Sequence, residues 1–199
     1  MLIDFKENNP HERYMLMVQS IIPRPVAWVM TENKGVLNIA PFSYFAPLSS
    51  EPPALVVSVG HRPDGTPKDT LHNIRTSQKC VVCIVDNAHF EMMHLSSKSL
   101  AAGESEVEYF DIKTENILHD FPPIPKAIKV AYFCTLLQEI DLKGSKTIPI
   151  VLQVEHLYLA DEIVSQEERG NVLRFSAIAR VGRGYASLLE NLEAPEIPK

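Results

Sequence analysis

A chain of 199 residues with 45% hydrophobic and 22% charged residues has the size and composition of one ordinary globular domain with a sizeable core. Its formal net charge of -6 argues against non-specific nucleic-acid binding through a basic surface, although a local anion site needs only a few cations and oriented amides. The first ten residues hold no cationic segment followed by an apolar run, and no stretch reads as a transmembrane span. The cysteines Cys80, Cys83 and Cys134 are odd in number and form no disulfide framework, which predicts a reducing cytoplasm.

In chain order, Pro10 to Gln19 reads as a short helix with Asn9 as N-cap and Pro10 at its first position. Val26 to Met30 and Val36 to Ala40 read as strands around a polar turn, and Ser43 to Pro47 continues extended. Ala54 to Gly60 is apolar and β-branched, suited to a central barrel strand. His61 to Pro67 is a loop. A helix is predicted to follow, with Thr66 as N-cap, Pro67 at the first position and Asp69 imitating a capping box. Val81 to Val85 is the next strand, and Asn87 to Leu100 reads as helical. Gly103 to Pro125 is polar and contains prolines, which predicts a long excursion over the surface. Lys129 to Leu142 and Ile148 to Ile163 are two long strands joined by a Lys-Gly-Ser-Lys turn. From about residue 165 the pattern weakens into an extension of the same domain, ending in a polar tail at Ala194 to Lys199.

Neither an alternating βαβ rhythm nor a glycine-rich phosphate turn occurs, which excludes a Rossmann reading. Closure of about six strands into a small barrel follows more naturally, because closure removes exposed edges. Cys80-Val81-Val82-Cys83 has redox-like spacing, but it lies in a strand. Residues three apart there face opposite ways, so these are read as buried core thiols. His89 and His94 are five apart with no converging carboxylates, and no metal site is expected.

Two segments carry chemistry. In the first, Asn38 and Ser43 flank apolar strands, and Pro41 between them lacks an amide hydrogen. A ladder broken at Pro41 would free neighbouring amides and carbonyls for a flat heterocycle. The same residues equally fit a barrel corner in which Asn38 caps a turn. In the second, Lys68, Asp69 and Thr70 fall in the first turn of the predicted helix, where unpaired N–H groups and the dipole suit a phosphate. Arg62 and Lys68 add charge, Thr70 adds a hydroxyl, and Asp69 caps the helix or holds a cation. A plain capped surface helix fits these residues too.

The run Pro23-Arg24-Pro25 through Thr31 to Asn38-Ile39-Ala40-Pro41-Phe42-Ser43-Tyr44-Phe45 resembles the signature of the flavin reductase-like, FMN-binding split-barrel proteins, on the flavoredoxin side. Ser50-Glu51-Pro52-Pro53, then Lys68-Asp69-Thr70 with Asn73-Ile74, then Arg180-Val181-Gly182 with Tyr185 match in the same order. The resemblance spans roughly residues 14 to 186. It implies a mainly β fold, a split β-barrel of Greek-key type with a few peripheral helices. It also implies non-covalent FMN and a homodimer with the flavin near the subunit interface.

By similarity, Asn38, Ile39, Ala40 and Ser43 lie at the flavin ring or ribityl chain. Arg62, Lys68, Asp69, Thr70 and Asn73 lie at the phosphate end, and Ser58 and Gly60 line the same site. Thr31 and Arg24 are further candidates. Two departures stand out: Ser105-Glu106 is present without the Gly-Leu-Thr that commonly follows, and Arg183 stands where a second glycine is usual. The implied activity is electron transfer from NAD(P)H through FMN to a flavin, a ferric complex or a protein. No side chain is required as acid or base. The alternatives are a non-enzymatic FMN carrier or sensor, and a flavin-free oligomeric binding module.

Overall fold

The computed structural model describes residues 1–167 and 170–188. Seven strands form the main sheet: β1 (Ala27–Asn33), β2 (Val36–Phe42), β3 (Phe45–Ser50), β4 (Pro53–Gly60), β5 (Lys79–Ile84), β6 (Val130–Glu139) and β7 (Thr147–Leu159). Their spatial order is β2-β1-β5-β6-β7-β4-β3, antiparallel throughout. The two edge strands, β2 and β3, are consecutive in the chain and joined by Ser43-Tyr44. Across this corner the Ser58 amide donates to the Tyr44 carbonyl at 2.9 Å. The sheet therefore curls until its edges meet without a continuous ladder, giving a mainly β split barrel with one strand more than expected.

The period-two alternation of the strands sorts the core into two layers. Ala27, Val29, Val57, Val82 and Ile150 lie in one cluster, with Leu71 and Ile74 of helix α2 (Asp69–Ser77) packed among them. This cluster draws on strands from both halves of the sheet, so it is the barrel interior. Trp28, Met30, Val81 and Phe133 face the other way. As the spacing predicts, Cys80 falls in the interior and Cys83 in the outer layer. All three thiols are free and buried. Burial pushes the Cys80 thiol up to about 12 and raises those of Cys83 and Cys134 as well.

Residues 103–125 are more than a surface excursion. Val107, Ile112 and Ile124 are buried against the outer layer, with Phe110, Leu118 and Phe121 packed beside them, so the segment is a lid anchored by apolar residues. It carries the short helix α4 (Glu106–Tyr109) and a two-residue ladder, Thr114–Glu115 with Ile124–Pro125. Helix α1 (Pro10–Ser20) begins as expected: Asn9 accepts from His11 and Glu12 amides, and Glu12 returns a bond to the Asn9 amide. The buried Arg24 closes its other end, donating to the carbonyls of Val18 and Ile21, a structural use of a candidate site residue. Between Asn87 and Leu100 the helical reading holds only in part. A 3-10 turn leads into α3 (Phe90–Leu95), and the chain leaves the helix at Ser96, whose hydroxyl accepts from Trp28 Nε1 at 2.9 Å.

The extension contributes two hairpins. Val164–Glu167 pairs with Gly170–Leu173, and Ile178–Val181 pairs with Gly184–Ser187. The latter also pairs with Arg24–Pro25, and Arg180 lies over the Tyr185 ring at 4.4 Å. Arg183 sits in its exposed turn. The tail at Ala194 to Lys199 lies outside the described residues.

Candidate functional site

The site is built where β1, β2, the His61–Pro67 loop, α2 and α4 converge. Helix α2 starts at Asp69, two residues later than predicted. Thr66 is not its cap: the Thr66 amide and hydroxyl both donate to Asp64 Oδ1, at 2.9 and 2.6 Å. The short acidic side chain two residues upstream captures these donors in a local turn, and those bonds hold the Asp64 carboxyl below its ordinary range. Lys68 becomes the N-cap, its side chain makes no capping bond, and it is exposed. The first amides of α2 consequently lack a side-chain acceptor.

Pro41 does not break its strand either. It lies within β2, opposite Trp28. On this edge strand the Ile39 amide points off the sheet and donates to Glu106 Oε2 at 3.3 Å. Backbone direction repeats every second residue, so position 41 faces the same way. Proline there forfeits no ladder bond.

Behind the cleft runs one directed hydrogen-bond chain. Asn73 Nδ2 donates to Thr31 Oγ1 at 3.1 Å, and Thr31 donates to Asn38 Oδ1 at 3.3 Å. Thr70 Oγ1 donates to the same oxygen at 2.9 Å, and Asn38 Nδ2 donates to Glu106 Oε2 at 2.6 Å. Because Thr31 accepts from Asn73, its proton goes to Asn38, which fixes the orientation of the Asn38 amide. All five side chains are buried. Burial raises the Glu106 carboxyl above the ordinary carboxylate range. Bonds from its own amide, the Ile39 amide and Asn38 work in the opposite direction, and the charge of Asp69 adds to the rise.

Beside this chain, Arg62 Nη2 and Asp69 Oδ2 pair at 2.5 Å, and Arg62 Nη1 donates to the Leu100 carbonyl at 3.0 Å. Its Nε is buried without a partner. Arg62, Asp69 and Asn38 separate two adjoining clefts of about 280 Å³ and about 710 Å³, on the scale of small-molecule sites.

Of the predicted residues, Asn38, Ala40, Arg62, Lys68, Asp69 and Thr70 line the smaller cleft together with Ser96 to Leu100 and Glu106. Asn73 lines the larger one. Ile39 turns its side chain into the outer core and offers the site only its amide. Ser43 sits half-buried at the β2–β3 corner. Ser58 and Gly60 are paired with Pro149 and Thr147 on β7, and none of these three lines either cleft. Glu106 was legible only as half of a Ser-Glu pair. The signal for its role is Ser105, whose side chain accepts from the Glu108 amide and sets α4 with Glu106 at its first position. His89 is held by Asp86 at 2.7 Å and by the Lys126 carbonyl, and His94 lies against Tyr185.

Residues 18–175 match the flavin reductase like domain. An uncharacterized protein of Halalkalibacterium halodurans is 35% identical over 158 residues, 76% of this chain and 75% of the relative. One from Aquifex aeolicus is 32% identical over 184 residues, covering 90% and 91%. The structure of nitrilotriacetate monooxygenase component B from Bacillus cereus superposes with a TM-score of 0.87 at 30% identity, covering 98% of both chains. That of 2-nitrobenzoate 2-nitroreductase NbaA from Pseudomonas fluorescens gives 0.86 at 26% identity, covering 100% of this chain and 96% of the other. A Shewanella frigidimarina protein with a split barrel domain gives 0.81 at 17% identity, covering 99% and 100%, a likeness of fold. The match to the domain over most of the chain, on this barrel, places the protein in the flavin reductase-like family, as a flavin-related oxidoreductase.

Proposed function

We propose that the protein binds one FMN without a covalent link and passes electrons from NAD(P)H through it to a free flavin, a ferric complex or a protein. The observation that carries this reading is the smaller cleft at the start of α2. It brings together uncapped helix amides, the exposed cation Lys68 and a buried Arg62 Nε that has no partner among the described residues. These are the donors that a phosphate monoester needs. Bound there, FMN would supply the hydride and electron chemistry itself.

The chain's own residues then bind and orient. Lys68 and the α2 amides hold the phosphate end. Asn38 and Ala40 form the wall at the ring or ribityl end, with the Asn38 amide already fixed by Thr31, Thr70 and Glu106. The segment Ser96 to Leu100 forms the facing wall of the cleft. The names of the two structures above 25% identity, a monooxygenase component and a nitroreductase, support an oxidoreductase over a carrier. The protein should purify yellow, with a flavin released on denaturation that is FMN rather than FAD. A colourless protein that FMN titration leaves unchanged would sink the reading. Oxidation of NADH or NADPH by the loaded protein separates a reductase from a carrier or sensor.

The same reading includes a homodimer. The lid at 103–125 packs on its own sheet, so it offers no argument for a partner. Helix α1 does: Tyr14 and Met17 are spaced i and i+3 on one face, Ile21 follows at the extended C-cap, and the three are 52%, 38% and 54% exposed. A second copy related by a twofold axis is the commonest cover for such a stripe. Light scattering at micromolar concentration with FMN present should give twice the chain mass, and a monomeric mass would count against it. No helix among the described residues is long and apolar enough to cross a membrane. Three free buried thiols suit the cytoplasm proposed for the reaction.

A further inference from the structure

We propose that Glu106 is the proton-exchanging residue of the cofactor cleft: ionised in the free protein, it takes up a proton when flavin covers it, and holds that proton for the negative charge that hydride transfer creates. The inference rests on the flavin occupying the smaller cleft, and it gives an acid–base role to a residue that electron transfer alone does not require.

Three observations point to it. Glu106 lines the cleft and is only 5% exposed. It has no cationic partner among the described residues. The two terminal nitrogens of Arg62 on the same wall are taken by Asp69 and Leu100, and Lys98 donates to the Tyr109 hydroxyl. Lys68 is exposed to solvent. Strand β2, against which α4 packs, carries no charged side chain. Asp69, the other carboxylate of the cleft, is like-charged and acts against ionisation of Glu106.

The hydrogen-bond chain behind the cleft terminates on Glu106. Its donors run from Asn73 through Thr31 and Asn38 and end on the single oxygen Oε2. Two N–H groups there hold the ionised form, against burial and Asp69. A ligand that fills the cleft removes the remaining water and, with a phosphate, adds negative charge. Both changes favour the neutral acid. The balance of the step is simple. A nicotinamide hydride brings two electrons and leaves one negative charge. The O–H bond of Glu106 breaks, its electron pair stays on the carboxylate, and its proton neutralises that charge. Solvent supplies Glu106 with a new proton before the next transfer, with the flavin still in place.

The test is binding, not turnover. Protein freed of flavin is titrated calorimetrically with FMN and with riboflavin, in two buffers of different ionisation heat. Affinities are then measured from about pH 5 to 8 for the wild type and Glu106→Gln. Glutamine keeps an oxygen to accept from Asn38 but cannot titrate. The expected result is a buffer-dependent heat that reports proton uptake by the wild type. Relative to the variant, the wild-type Kd should tighten as pH falls, by up to about tenfold per pH unit. The FMN phosphate also titrates near pH 6, but it does so in both proteins, and riboflavin lacks it. Heats independent of buffer, or parallel pH profiles for the two proteins, would overturn the proposal while leaving the cofactor assignment standing. Binding of neither ligand would overturn the cofactor assignment, and this proposal with it. The two-buffer comparison needs the wild type alone, so it decides the matter even if the variant does not fold.

Discussion

Replacing Lys68 with alanine is expected to weaken FMN binding by about one to two decades and to leave riboflavin binding almost unchanged. Lys68 is the N-cap of α2, its side chain makes no capping bond, and it is exposed. Its removal therefore takes nothing from the fold, and the stability change should stay within about 0.5 kcal/mol. What it takes from a bound phosphate is one charge-assisted hydrogen bond, worth roughly 1.5–3 kcal/mol. Riboflavin has no phosphate and cannot register the loss. Matched titrations with the two ligands check this. If Lys68→Ala weakens riboflavin as much as FMN, or affects neither, the phosphate lies elsewhere and the cofactor is wrongly placed. Thr70→Val behaves differently from a surface change. The Thr70 hydroxyl is buried and already given to Asn38, so the substitution also disturbs the chain behind the cleft.

What the sequence made legible, and what it did not, divides along physical lines. The central strands were readable because burial on both faces leaves near-continuous apolar, β-branched runs. The opposite fates of Cys80 and Cys83 follow from the two-residue period of strand geometry alone. The N-cap at Asn9 was readable because capping is local, and the structure adds Glu12 as its capping-box partner. The start of α2 was misplaced by a competition between local bonds: Thr66 is a good cap in isolation, but Asp64 two residues away captures its hydroxyl and amide first. Pro41 was misread because edge strands and central strands look alike in sequence, and only the topology shows that position 41 faces off the sheet. The lid at 103–125 looked polar because its buried residues are few and widely spaced.

In the site, the cluster around Arg62 to Asn73 was legible because one loop and one helix turn carry it. Glu106 reaches the same place from 68 residues beyond Asn38, and no local pattern reports such a contact. The ordered run of motifs identified the family, which the domain match bears out.

Asn38→Ala is expected to cost stability as well as affinity, and this follows from where the amide's bonds go. Asn38 is 4% exposed, accepts from Thr31 and Thr70, and donates to Glu106. Alanine leaves two buried hydroxyls without their acceptor and a buried carboxylate with only backbone donors. Leaving such groups unsatisfied costs about 2–4 kcal/mol in all, which lowers Tm by roughly 5–15 °C for a domain of this size. FMN and riboflavin should weaken together, because the loss is at the end of the site that both ligands share.

The isosteric change Asn38→Asp sharpens the test. It sets a second carboxylate against Glu106, whose carboxyl burial has already raised above its ordinary range. A raised folded-state carboxyl makes the native protein bind more protons than the unfolded chain, so stability falls as pH rises above the ordinary carboxylate range. Two facing carboxylates steepen that fall. Asn38→Asp should therefore be the less stable variant at neutral pH and should recover towards the wild type as the solution is acidified to about pH 5, whereas Asn38→Ala should recover less. Thermal melts of the three proteins across that range decide it. An Asn38→Asp protein whose deficit does not shrink on acidification would show that Glu106 is not the partner the geometry assigns.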